Sequence, residues 1–194
     1  MTQLTRRGFI VGSVALAASF RSNLLLAGGE PDIVDVKGTS HAAMVDAALK
    51  ELGGIGKFVK KGDYVVLKPN ASFANPPDWA TTTHPQTVVA VARQCLKAGA
   101  KQVLVVEFPV NKGKKPLDRC GLTGALKAVP GVEVELLGGK QDFREVKIKN
   151  AFTLKRVEVA KSVLSADVLI SLPAAKHHGN TYVSFGMKNP MGLI

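Results

Sequence analysis

Two kinds of hydrophobic spacing alternate along this chain. Tyr64-Val65-Val66-Leu67, Val103-Leu104-Val105-Val106 and Val168-Leu169-Ile170-Ser171-Leu172 are near-continuous apolar runs of strand length, without the every-other-residue rhythm of a half-exposed strand. A strand apolar on both sides is buried on both sides, the mark of a parallel sheet held between layers. Ile33-Val34-Asp35-Val36 reads as a first strand and Val132 to Leu137 as another. Helical spacing fills the gaps. Ala43, Met44, Ala47, Ala48 and Leu52 share one face of a helix that Ser40 caps and Gly53-Gly54 ends. Val88, Val91, Ala92 and Cys95 share a face of a second helix, capped by Thr83, carrying Pro85 in its first turn and stopping at Gly99. A short helix is predicted around Leu122 to Val129, and two antiparallel strands between Phe143 and Val159, where charged and apolar residues alternate. The pattern predicts an α/β fold: a mostly parallel central sheet with helices on both faces and a small antiparallel excursion around 143–159.

The first 27 residues obey a different rule. Arg6-Arg7 stand directly before an apolar stretch from Phe9 to Phe20, the charged and hydrophobic regions of an export signal. The stretch is too short to span a bilayer comfortably, which argues against an ordinary membrane anchor. Ala15-Leu16-Ala17 and Leu25-Leu26-Ala27 both offer the small residues a signal peptidase prefers, and cleavage after Ala27 leaves a polar start at Gly28-Gly29-Glu30-Pro31. The chain therefore divides into an export signal, 1–27, and an α/β domain, 28–194, with no permanent membrane span after cleavage.

Charge narrows the partners. The chain carries 26 basic and 15 acidic residues, a net charge of +11. Three of the basic residues, Arg6, Arg7 and Arg21, lie in the signal, leaving 23 against 15, or +8. Such a surface suits nucleic acid, an anionic membrane or a small anion. The basic stretches lack the interleaved aromatic residues that stack on bases, so no nucleic-acid partner is expected. Cys95 and Cys120 are the two cysteines. They are too few for the usual four-thiolate cluster, so no iron–sulfur cluster is expected from this chain alone, and the cofactor is not named by the sequence.

The residues with chemistry to offer gather at strand ends. Lys68-Pro69-Asn70 follows the strand at 64–67, Glu107 the strand at 103–106, and Lys176-His177-His178 the strand at 168–172. If the three strands are parallel, all three clusters share the carboxyl edge, where open α/β sheets bind ligands. Thr83-His84 opens a helix, and a helix start offers amide donors to an anion. Two pockets are compatible with this set. In one, Lys68, Lys176 and Lys188 neutralise an anion while Asn70 and Asn189 orient it. In the other, His84 with His177 or His178, and Glu107, hold a divalent metal. Neighbouring histidines in an extended segment point opposite ways, which weakens the second. Lys176, His177 and Glu107 are the candidate catalytic groups, a base beside a polarising group. Lys68, Asn70, Thr83, His84, His178, Lys188 and Asn189 are candidate ligand contacts, and His84, His178 and Glu107 the candidate metal ligands.

Several motifs also occur together in one order: Leu67-Lys68-Pro69-Asn70, Thr83-His84-Pro85, Gly99-Ala100-Lys101-Gln102-Val103, Leu172-Pro173-Ala174-Ala175-Lys176-His177 and Met187-Lys188-Asn189-Pro190-Met191-Gly192. In these the chain resembles the domain of unknown function 362 family. The start Thr5-Arg6-Arg7-Gly8-Phe9-Ile10 resembles a twin-arginine signal. Together these imply a member exported through the twin-arginine machinery to the periplasm or beyond. Relatives often read lysine–threonine–histidine where this chain has Lys176-His177-His178, and aspartate at Glu107. Some carry a fused ferredoxin-like module, for which this chain has no cysteines. Members usually run past the Lys188-Asn189 motif, and the apolar stop at Met191-Gly192-Leu193-Ile194 points the same way, to a longer natural chain. The resemblance implies fold and site but no reaction. The expected function is binding of an anionic small molecule or cofactor at the sheet's carboxyl edge, with redox chemistry one option. A non-catalytic accessory protein of the cell envelope and a metal-dependent enzyme are the alternatives.

Overall fold

A computed structural model describes residues 31–110 and 113–194; residues 1–27, read above as an export signal, lie outside them. Residues Asp35–Ile194 pack as one unit. Its centre is a four-stranded, all-parallel sheet of β1 (Tyr64–Pro69), β2 (Gln102–Glu107), β3 (Val132–Leu136) and β6 (Val168–Leu172), in the order β3-β2-β1-β6. The three apolar runs are thus parallel neighbours. Val65 pairs with Val103 on one side and Val168 on the other, and Leu67 with Val105 and Ile170.

Helices line one face. α1 (His41–Glu51) starts at the Ser40 cap, whose hydroxyl accepts from the Ala43 amide. α2 (Pro85–Lys97) lays Val88, Val91, Ala92 and Cys95 on Val65, Leu67, Val103 and Val105. Two short helices, α3 (Lys115–Arg119) and α4 (Leu122–Lys127), bring Leu117, Leu122 and Leu126 to the same core. Burying side chains of this size is worth ~1.5–3 kcal/mol each, so this face dominates the fold's stability. The opposite face, Val66, Leu104 and Val106, is covered more thinly. Leu137, Ala160 and Leu193 pack there, with Phe143 of β4 (Phe143–Lys147) and Val163 of the one-turn helix α5 (Lys161–Leu164). The antiparallel excursion is β4 with β5 (Arg156–Ala160), pairing Phe143 with Ala160.

Three details depart from the sequence reading. Residues 33–36 form no strand: β3 and β6 bound the sheet, and a strand without a ladder partner has no hydrogen bonds to hold it extended. The cap of α2 is His84, whose Nδ1 accepts from the Gln86 amide at 3.3 Å; Thr83 is drawn away by a bond across the sheet described below. Beyond β6, where the sequence pattern names no element, a hairpin forms: β7 (Lys176–His178) antiparallel to β8 (Tyr182–Ser184). A 3₁₀ turn, Asn189–Leu193, follows. Among the described residues no helix is long and apolar enough to cross a membrane.

Candidate functional site at the carboxyl edge of the sheet

The order β3-β2-β1-β6 places a topological switch between β1 and β6. The chain leaves β1 toward β2, and the strand on β1's other side arrives last. Connections part at such a point and leave a crevice beyond the strand ends, the usual ligand site of an open α/β sheet. Lys68-Pro69-Asn70 stands at this point at the end of β1, and Lys176 in the segment after β6.

Lys68 and Glu107 form the floor. Both are sealed from solvent, at 2% and 0% exposure, with Lys68 Nζ 2.9 Å from Glu107 Oε1. Strand alternation sends Lys68 out on the face of Val66 and Glu107 on the face of Val105, so their bond closes over the strand ends. Nζ also donates to the Pro69 carbonyl. Glu107 accepts from the Ala71 amide at 2.6 Å, the Phe108 amide at 3.0 Å and the Ser72 hydroxyl at 3.2 Å. One carboxylate thereby fixes the loops leaving both β1 and β2. Burial pushes the Lys68 ammonium below the ordinary lysine value, and Glu107 opposes the shift. With two of the Lys68 N–H donors and both Glu107 oxygens engaged, the buried pair is a rigid joint. Gly192 lies against it: a Cβ there would sit 3.3 Å from Lys68 Cε and 3.6 Å from Glu107 Oε1.

Lys176 stands above this floor in a different state. It is half-buried, and Nζ donates to Asn70 Oδ1 at 2.8 Å and to the Thr81 carbonyl. The ammonium lies 4.6 Å from the centre of the Phe73 ring. Among the described residues no carboxylate reaches salt-bridge distance of it. Burial first, and the neighbouring Lys188 charge second, push its pKa down, with Glu107 acting the other way. The Asn70–Lys176 bond spans the switch point. Thr83 ties the same corner, its hydroxyl accepting from the Asn70 amide at 2.8 Å and donating to the Leu172 carbonyl at the end of β6. Asn189 donates from Nδ2 to the Lys68 carbonyl at 2.7 Å and Ser171 Oγ at 3.0 Å. Its buried Oδ1 has no hydrogen-bond partner.

Lys68, Asn70, Thr83, Glu107, Lys176, Lys188 and Asn189 therefore share one edge. The histidines do not join them. His177 is exposed and pairs across the hairpin with Val183. His178 turns its Nδ1 back to the Asn180 and Thr181 amides, at 3.2 and 3.3 Å. His84 stacks on His41, ring centres 3.8 Å apart and nearly parallel. Burial and His41 lower the His84 pKa against the pull of Asp78. Among the described residues no three His, Cys, Asp or Glu side chains gather as metal ligands. Glu107 is already committed to Lys68 and two amides, and it does not contact His177. Sequence reading missed Ser72, Phe73, the Thr81 carbonyl and Ser171. Ser72 and Phe73 lie just past Lys68-Pro69-Asn70 and were within reach of a wider window; a backbone carbonyl carries no residue-type signal.

Fold and site together define an α/β protein with lysines and asparagines gathered at the switch point of its parallel sheet. Residues 65–194 match the model of the domain of unknown function family DUF362, and the chain belongs to that family. It is similar to a thylakoid-associated protein of Synechocystis sp., 31% identical over 155 residues. That match takes in 80% of this chain and 46% of the relative, so the chain spans about half the relative's length.

Proposed function

We propose that this protein binds an anionic small molecule in the crevice between β1 and β6, with Lys176 and Lys188 as the cations that receive it and Asn70 and Asn189 as orienting groups. One observation carries the reading. Burial first and then the nearby Lys188 ammonium lower the Lys176 pKa, and neither lysine has a carboxylate at salt-bridge distance among the described residues. Partly buried like charges are costly together, and an anion between them removes the cost. Lys68 is not a ligand contact in this reading; with Glu107 it sets the floor. Binding rather than proton transfer by Glu107 follows, since each of its oxygens already accepts a hydrogen bond.

The protein is further proposed to reach the periplasm or beyond through the twin-arginine machinery, on the strength of Arg6-Arg7 and the short apolar run after them. For the Synechocystis relative the association is with thylakoids; for this chain the corresponding proposal is a compartment outside the cytoplasm. Binding is tested by thermal unfolding in rising phosphate or small carboxylates at constant ionic strength. A ligand of the native state raises the midpoint progressively, whereas no rise beyond that given by chloride would contradict the reading.

A further inference from the structure

We infer that Lys176 is a covalent site, forming an imine with an anionic carbonyl compound of the 2-oxo acid class whose carboxylate is held by Lys188. The inference rests on the anion reading and names the ligand class for the same crevice. Its basis is the arrangement around Nζ. A neutral primary amine has two N–H donors and one lone pair. Lys176 faces two fixed neutral acceptors, Asn70 Oδ1 and the Thr81 carbonyl. Both N–H bonds of the free amine are thereby used, and its lone pair is left for an electrophile. Lys68 shows the contrast. Its Nζ is held by the Glu107 carboxylate and closed off from solvent, which leaves an incoming carbonyl no access.

The surroundings ease loss of a proton from Lys176, whose ammonium receives the anion and whose free amine attacks, although Glu107 opposes the shift. Partial burial and a second ammonium nearby are the two ways proteins activate an amine nucleophile, and here both act in the same direction. The Phe73 ring, 4.6 Å away, attracts the ammonium and partly offsets them while keeping water from one side. Chemically, the Nζ lone pair attacks the carbonyl carbon, forming C–N as the C=O π electrons move to oxygen. Nζ then loses one proton to water. The alkoxide oxygen takes two from solvent, the first making the carbinol hydroxyl and the second letting it depart as water. The nitrogen lone pair forms C=N as the C–O bond breaks. No electrons leave or enter the system. The protonated imine keeps one N–H, which still has an acceptor in Asn70 or Thr81. Lys188 fixes which carbonyl compounds enter, because a carboxylate beside the carbonyl can reach its charge.

The test uses the full chain incubated with pyruvate and cyanoborohydride, followed by peptide mass mapping. The reduced adduct is expected predominantly on Lys176, ahead of the exposed Lys149, and is expected to disappear from Lys176→Arg, which keeps the charge and donors but has no attacking amine. Lactate, of the same charge but without the carbonyl, is expected to slow labelling by competition. Labelling spread over lysines according to exposure, or none at all, would overturn the imine. If lactate still raises the unfolding midpoint in that case, the anion reading stands and only the covalent step falls. If lactate neither competes nor stabilises, both fall.

Discussion

Lysines of one chemical type meet opposite fates at this edge, and the difference is local. Lys68 is paired and sealed by Glu107; Lys176, whose stem is also partly buried, is met only by neutral acceptors. Removing Glu107 as Glu107→Leu leaves the Lys68 charge buried without a partner, a loss of about 3–5 kcal/mol. Adding Lys68→Met to that variant is expected to restore part of it, giving a coupling of ~1–3 kcal/mol in a urea double-mutant cycle. Additive losses would mean the pair is not a unit. Lys176 is also more than a solvated charge: Lys176→Met strands Asn70 Oδ1 and the Thr81 carbonyl, at a cost of about 1–2 kcal/mol. Cys95 supplies a pH test. Burial holds its thiol at about 11, against 9.0 for an exposed one. Between those values the unfolded chain gives up a proton that the folded chain keeps, so stability falls as pH rises through the interval. Cys95 alone accounts for ~2–3 kcal/mol of that fall. Cys95→Ala is expected to show a correspondingly shallower alkaline slope in urea unfolding at pH 8 to 11; an unchanged slope would place the loss elsewhere.

At the scale of elements, the 3₁₀ turn Asn189–Leu193 matters beyond its length. It covers the Lys68–Glu107 joint with Gly192 and supplies Leu193 to the thin face. Both ends of the Lys68 side chain are fixed, so it has little room to yield. Gly192→Ala is therefore expected to cost about 1–3 kcal/mol, read as a lower urea midpoint; an unchanged midpoint would mean the turn sits loosely. This element was not legible in the sequence as structure, only as part of a motif, because five residues with no periodicity carry no helical signal. The β7–β8 hairpin escaped for the same reason: three-residue strands are too short to show alternation. The long apolar runs were legible because burial on two faces leaves a run that no turn or exposed strand reproduces. Residues 33–36 show the limit of that signal, since β propensity does not provide a neighbour to pair with.

Over the whole molecule, the topology converts those runs into a site. Sequence placed Lys68, Asn70, Glu107 and Lys176 at the ends of strands, and parallel pairing then put them on one edge. It did not say which lysine would be buried, because the answer depends on a carboxylate 39 positions away in one case and an asparagine 106 positions away in the other. Nor did it say that the histidines would point elsewhere: His84 is drawn to His41 of α1, and His178 to its own turn. The proposed export is likewise tested on the whole chain. Arg6→Lys with Arg7→Lys keeps the charge but removes the guanidinium pair. Fractionation is expected to find this variant in the cytoplasm, whereas undiminished export would mean another route.

The proposed binding of an anion by Lys176 at the β1–β6 switch point is decided by calorimetric titration of phosphate and small carboxylates into wild type, Lys176→Met and the exposed control Lys149→Met. Saturable binding is expected for wild type and control alike, weakened by about 1.5–3 kcal/mol in Lys176→Met, the worth of one charge-assisted hydrogen bond. Equal affinity in all three proteins, or no binding to any, would contradict it.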